Sequence, residues 1–382
     1  MAKQTYVYSG TEWVPLASEV TNLTAYQTKA LAQASNRNLI INGAMQVAQR
    51  GTSVTGITTS DYRTVDRFRF EPSSMGTWTM TTENDAPTGS GFRKSAKVLC
   101  TTADASPAAG DYIQLYQVIE GQNLQQVKKG TAAAEQLTVS FWVKSNVTGT
   151  YIVNLADNDN SREVSKSYTI SSSGTWEYKT ITFPADTTGA FDNDNNGSLV
   201  ITWGLGAGSN YTTGSLQTTW GTNTAANRFV GQTNLASATN NYWQITGVQL
   251  EVGATATPFE FKPYAQDLAE CQRYYYRNTP GNLNGNYCLA QVRSTTQVEP
   301  VIHFPVTMRT VPTSLEFSNL AILRAGISVT AITAATLPSD ESTPNSAKIA
   351  ATTNTSGASA GQVVTVQNNN STAGYLAFSA EL

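Results

Sequence analysis

The stretch "GVQLEVGATATPFE", residues 247–260, decides how this chain is read. Just upstream, Trp243 and Ile245 share one strand parity, whereas Val248, Leu250 and Val252 share the other. Side chains alternate faces along a strand, so an apolar set that changes parity requires a flip or one extra residue. Gly247 stands at the switch and marks a β-bulge. In that register Gln249 and Glu251 face water, and Phe259 and Phe261 point inward again after the small-residue hinge. The segment reads as the closing strand of a β-sandwich, followed by an exit into a different unit.

Upstream, residues 39–263 carry the same signature. "LTVSFWV" places Leu137, Val139, Phe141 and Val143 on one face. "SLVITWGL" does so with Leu199, Ile201, Trp203 and Leu205, and "YIQLYQVI" with Ile113, Leu115 and Ile119. Turn clusters such as "ENDAPTGSG", "ADNDNS" and "DNDNNG" separate these runs. Short strands with one apolar face indicate packed antiparallel sheets, and the lack of any βαβ unit argues against a parallel fold. The fold class is therefore all-β, an antiparallel β-sandwich.

Downstream, "QDLAECQRYYYR" at 266–277 reads as a linker helix with Leu268, Cys271 and Tyr275 as its apolar stripe. Asp267 lies near its N-terminus, where negative charge is favoured. Residues 264–382 thus comprise this helix and a second, C-terminal β-sandwich, whose strands Pro300, Pro305 and Pro312 keep short or confine to edges. The first 38 residues differ from the rest. "TYVYSGTEWVPL" reads as a small hairpin around Ser9-Gly10. Leu16, Val20, Leu23, Gln27, Ala30 and Ala34 then recur at alternating intervals of four and three, as in a coiled-coil seam. That seam fits either a surface helix or a self-associating or docking segment.

Charged residues make up 13% of the 382, with a net charge of −3, so neither nucleic acid nor an anionic membrane surface is an expected partner. Cys100, Cys271 and Cys288 lack C-x-x-C spacing and read as free thiols of a protein made in a reducing cytoplasm. No signal-peptide core and no membrane-spanning run is evident.

"GLGAGS" at 204–209 superficially resembles a phosphate loop, but no helix follows it and no Lys-Ser/Thr closes it, so the glycines serve a turn. "DNDNNG" offers Asp192, Asp194 and Asn196 at alternate positions, the front half of a calcium loop, and makes structural calcium a candidate. Trp203 occupies the place of the closing acid, so a plain turn is the alternative. The weaker "DNDN" at 157–160 is read the same way. His303 has no marked nucleophile beside it, and no catalytic constellation stands out. Strand parity makes Trp203 a core residue, whereas Tyr211 and Trp220, in a Gly/Thr/Asn-rich stretch, are candidate glycan-stacking side chains. The sequons at Asn22 and Asn146 carry little meaning without a secretory signal.

"NLIINGAMQVAQRGTS" followed by "YRTVDRFRF" resembles the opening of a domain found in bacteriophage tail-fibre proteins. "LTVSFWVKSNVTGTY" resembles its middle and "WQITGVQLEVGATATPFEFKPYAQDLAECQRYYYR" its close, and "IHFPVTMRTVPT" and the terminal "AEL" recur as well. Ala48 departs from the pattern, which often has an aromatic just before "QRGTS". The resemblance runs from about Leu39 to the C-terminus. It implies a jelly roll similar to carbohydrate-binding modules, in a homotrimeric structural protein of the virion tail, assembled in the host cytoplasm. Residues 1–38 would attach to other tail proteins, and the distal domains would face a bacterial surface polysaccharide or lipopolysaccharide. The expected role is non-enzymatic receptor binding; the rivals are a glycan depolymerase tailspike and a tail adaptor or decoration protein.

Overall fold

In a computed structural model of the chain, residues 6–8, 13–15, 36–324, 327–338, 340–353 and 359–382 are described. The heptad positions Leu16 to Ala34 lie outside them. The N-terminal hairpin is present: Tyr6–Tyr8 pairs antiparallel with Trp13–Pro15, with Tyr8 opposite Trp13.

From Leu39 onward the chain forms two antiparallel sheets. One has seven strands, in the order Gly221–Thr222, Arg162–Ile170, Gly149–Asp157, Gly197–Ala207, Tyr112–Glu120, Arg69–Ser73 and Asp61–Tyr62. The other has six, in the order Glu177–Phe183, Leu137–Ser145, Tyr242–Val252, Ser95–Thr102, Thr77–Glu83 and Ser53–Ile57. Their inner faces carry the apolar parities read above and meet in one core. Phe141 of the six-stranded sheet stands edge-on to Trp203 of the seven-stranded sheet at 5.8 Å, and Trp78 to Phe70 at the same distance. Such edge-on pairs add about 0.5–1.5 kcal/mol each beyond area burial.

The bulge lies where the parity break puts it. Thr246 pairs with Trp142 and Gln249 with Ser140, so Gly247 and Val248 together oppose Phe141. Gly247 has φ +62°, a left-handed conformation that glycine adopts without penalty. Trp243, Ile245, Val248 and Leu250 all reach the same core. The bulge marks a change of neighbour. Tyr242 to Ile245 pair with Ser95–Thr102, but beyond the bulge residues 38–43 take over, through Val248 N to Gly43 O at 2.9 Å and Leu39 N to Leu250 O at 2.8 Å.

Three expectations at this strand and helix need correction. Gln249 and Glu251 are buried rather than solvated, because the chain after the hinge returns over them. Thr257 donates through its N and Oγ1 to Glu251, Glu260 N donates to Gln249 Oε1, and Arg37 lies 3.5 Å from Glu251. Phe261 is 52% exposed; it packs with Phe259 on Phe92, outside the core, with centroids 4.8–5.1 Å apart. The helix runs Tyr264–Gln272 and buries Asp267 and Cys271, one turn apart, while Tyr275 already belongs to the strand Tyr275–Asn278. Leu268 is only half-buried, because the face that meets the sandwich is the one carrying Asp267 and Cys271.

The C-terminal region is also antiparallel β. Asn286–Ser294, Val363–Asn368, Leu320–Arg324, Ile327–Thr336, Ala350–Thr353 and Gln297–His303 pair in sequence, and the last pairs back with the first, closing a small barrel. Pro300 sits within this wall rather than at an edge. It falls where its strand changes partner from Ala350–Thr353 to Ser346–Lys348, so its missing N–H costs no ladder bond. A three-stranded sheet of Tyr275–Asn278, Tyr375–Ser379 and Ser314–Ser318 lies beside the barrel. One of its faces sends Tyr276, Leu376, Phe378, Leu315 and Phe317 into the barrel's core. Cys100 and Cys271 are buried, Cys288 is half-buried, and all three are free thiols. Among the described residues, no helix is long and apolar enough to cross a membrane.

Candidate functional site

The outer face of the seven-stranded sheet is divided in two. Over the strands Gly197–Ala207, Gly149–Asp157 and Arg162–Ile170 the chain from 208 to 234 folds back and covers it. Gly204 permits this close approach: a Cβ there would lie 2.8 Å from the Phe229 ring. The buried Glu163 carboxylate fixes the covering segment, accepting from Arg228 Nε at 2.8 Å and Thr224 N at 2.8 Å.

The other half remains open. Strand register places Tyr62, Arg69 and Tyr116 in one outward row, which ends at the covered Thr202. Glu71 and Gln114 form the next row, which ends at the covered Gly204, and Ser73, Tyr112 and Ala207 the third. Arg69, Glu71, Tyr112, Gln114 and Tyr116 are all half-buried. Glu71 organises the centre, accepting from Tyr112 OH and Gln114 Nε2, each at 2.9 Å. Burial, and then the Glu71 carboxylate, push the Tyr112 phenol up to about 12, so it stays a neutral donor. Arg69 donates from Nε to Ser60 Oγ at 3.0 Å and lies 5.8 Å from the Tyr116 ring. Tyr211 stands at the rim on the short helix Ser209–Thr212, its ring edge-on to Tyr112 at 5.2 Å. The face combines aromatic surface with an amide, a carboxylate and a guanidinium, a set suited to a ligand with apolar C–H faces and a hydroxyl rim.

Tyr211 thus joins a site that sequence reasoning only half locates. Tyr112, Gln114, Tyr116 and Glu71 escape it, although their signal is present: in "YIQLYQVI" the parity opposite the core reads Tyr-Gln-Tyr. Trp220 is not part of this face. Its Nε1 donates to Pro184 O at 2.8 Å, and its ring caps Lys129, whose ammonium lies 5.3 Å away. That ammonium is buried against Asp157 at 2.5 Å and Asp186 at 3.0 Å. Trp203 is core, as expected.

The "DNDNNG" loop is held as a turn. Asp194 accepts from Asn196 N at 2.9 Å and Nδ2 at 2.6 Å, and Asp192 is exposed, with its backbone N donating to Asp159. Among the described residues no group of three or more His, Cys, Asp or Glu side chains is set to hold a metal ion; calcium at Asp192, Asp194 and Asn196, two acids and an amide, stays an expectation. The loop instead joins the two β regions, with Asn195 Nδ2 donating to Arg309 O at 2.6 Å and Arg309 Nη1 to Asn195 O at 3.0 Å. His303 is an exposed residue of a barrel strand.

No family model matches the chain, and no curated protein matches it. Among solved structures it is similar to the enzymatically active domain of tailspike protein 4 of bacteriophage CBA120. That match has 14% identity and a TM-score of 0.30, covering 56% of this chain and 21% of that one. It is also similar to the module TmCBM61 in complex with β-1,4-galactotriose, with 11% identity, a TM-score of 0.29 and coverage of 56% and 99%. A third is the family 11 carbohydrate-binding module of Clostridium thermocellum in complex with a mixed-linked tetrasaccharide, with 10% identity, a TM-score of 0.28 and coverage of 53% and 98%.

Proposed function

We propose that the chain is a bacteriophage tail fibre protein that attaches a virion to a bacterial surface glycan by non-covalent binding. The open half of the seven-stranded sheet is its binding face. The observation that carries this reading is the grouping of half-buried Tyr112, Tyr116 and Tyr211 around Glu71, Gln114 and Arg69. Tyrosine rings present rigid surface at low entropic cost, and the polar groups between them can satisfy sugar hydroxyls. The tail context rests on the sequence resemblance. On this reading residues 1–38 dock on other tail proteins, three copies associate, and the protein resides in the virion tail.

The decisive experiment is adsorption competition, with purified protein added to host cells before virus. Saturating protein should block attachment, and Tyr112→Ala/Tyr211→Ala should abolish the block while leaving the melting temperature within a few degrees. Absence of competition would favour a tail adaptor or decoration protein. Release of reducing sugar from host polysaccharide would favour a depolymerase.

A further inference from the structure

A second cleft, of about 390 Å³, lies between the sandwich and the three-stranded sheet. Its walls are Arg50, Asp61, Tyr62 and Arg63 on one side and Arg277, Glu316, Tyr375 and Ser379 on the other. Register explains the second wall. Tyr275, Arg277, Tyr375, Ser379 and Glu316 occupy the parity opposite the residues that enter the barrel's core. Ala377 lies between Arg277 and Glu316 in the register and leaves space between them.

Three guanidinium groups face two carboxylates here, and their donors are not exhausted. Arg50 uses Nη2 on Glu381 at 3.3 Å and its Nη1 lies 4.0 Å from Asp66, so this guanidinium is largely engaged within the protein. Arg63 uses Nη1 on Asp61 at 3.4 Å and Nη2 on Thr59, and its Nε is buried without an acceptor. Arg277 Cζ lies over Tyr375, 3.7 Å from the ring centroid, and among the described residues its guanidinium has no hydrogen-bond or ion-pair partner. The unpartnered Arg277 fork, with the positive charge of Arg50 and Arg63 on the facing wall, matches a planar anion. The two acids restrict which anion. Asp61 and Glu316 would repel a dianionic phosphate, whereas a singly charged sugar brings hydroxyls that can donate to them.

We propose that this cleft binds an acidic sugar, with the sugar carboxylate on the arginines and its hydroxyls on Glu316 and Asp61. The source of that sugar, an acidic bacterial surface glycan, rests on the function proposed above; the binding chemistry does not. The test is calorimetric titration of the full chain at constant ionic strength with sodium glucuronate, glucose and inorganic phosphate. Glucuronate should bind roughly tenfold or more tightly than glucose, as expected for charge-assisted hydrogen bonds that the neutral sugar cannot make. Phosphate should bind more weakly than glucuronate. Arg277→Gln should remove that preference, and Arg63→Gln should weaken it if the first variant does not fold. Equal affinity for glucose and glucuronate, no glucuronate binding, phosphate binding as tightly as glucuronate, or an unchanged preference in both variants would overturn the proposal. Glucuronate binding by a protein that does not compete for adsorption would refute the tail-fibre role and leave this site standing.

Discussion

Replacing Gly247 with valine tests why the closing strand of the sandwich changes parity where it does. At φ +62° a β-branched residue is strained, and such positions cost about 1–3 kcal/mol. Space is the second term. A Cβ at 247 would lie 2.6 Å from Phe92 Cζ and 3.2 Å from Trp142 Cδ1, too close without movement of both rings. Phe92 cannot swing away freely, because Phe259 and Phe261 pack against it. Overpacking of this kind costs about a further 1–3 kcal/mol. Against these stands valine's strand preference, at most ~1 kcal/mol. Gly247→Val should therefore lose about 1–5 kcal/mol, measured by urea unfolding followed through tryptophan fluorescence. Gly247→Ala should lose less, and combining it with Phe92→Leu should recover part of that loss, because the two sites share one contact. A Gly247→Val protein as stable as the parent would refute both the strained-bulge and the packing terms.

Three further outcomes are expected. Lys129→Met removes the ammonium from the buried Asp157 and leaves Asp186 to Arg162 alone, and should cost about 3–5 kcal/mol by chemical denaturation; a loss under about 1 kcal/mol would mean that the ammonium is not the essential partner of Asp157. Burial raises the Asp66 and Asp267 carboxyls from 3.8 to about 6, so the folded state holds these protons more tightly than the unfolded chain. The resulting stability is full below pH ~4 and is lost as pH rises through about 6, on the order of 2–3 kcal/mol for Asp66; a melting profile from pH ~4.5 to ~7 that keeps its slope in Asp66→Asn/Asp267→Asn would contradict this. Tyr211→Ala should weaken binding to a recognised host glycan roughly tenfold, about 1.4 kcal/mol, whereas Trp220→Ala should lower the melting temperature and leave that affinity unchanged; the reverse pattern would move the binding face to Trp220.

What sequence reveals here follows from which contacts are local. A strand with one buried face announces itself at period two, so Phe141, Trp203 and Leu115 are legible as core, and so is the parity break at Gly247. The opposite parity is ambiguous, because it means water only if nothing later in the chain returns to cover it. Gln249 and Glu251 mislead for that reason: Thr257 and Glu260, on the far side of the hinge, complete their hydrogen bonds. The same ambiguity hides the candidate site, since Tyr112, Gln114 and Tyr116 differ from covered Ile152 and Asn154 only in where residues 208–234 lie. Trp220 lies apart from that face because an aromatic in a polar loop can serve as a lid over a buried ion as readily as a platform for a ligand. In the acidic loop the Asp194 carboxylate is engaged by the turn itself.

The two cores, one around Phe141 and Trp203 and one around Val364 and Phe378, do not merge. Polar groups join them instead. Glu381, two residues past the central strand of the three-stranded sheet, reaches back to Arg67 and Arg50, whose guanidinium groups lie 3.4 and 3.5 Å over the rings of Tyr274 and Tyr275. Arg273 binds Glu120 through two nitrogens at 2.9 and 2.7 Å, which together with Tyr274 holds that carboxyl below its usual range despite burial. Backbone bonds from Arg309 N to Arg273 O and from Ala380 N to Tyr274 O stitch the short linker to the C-terminal region. Interfaces between units of one chain allow motion by default when few specific bonds cross them. Here a rotation would strand Arg67 and Glu120, each almost fully buried, unless water entered the whole junction at once. An apolar seam of equal area could slide; forked ion pairs and backbone bonds have one geometry. The open sheet face and the arginine cleft share the junction residue Tyr62, so their spacing is fixed by this network and not by the flexibility of the residues between them.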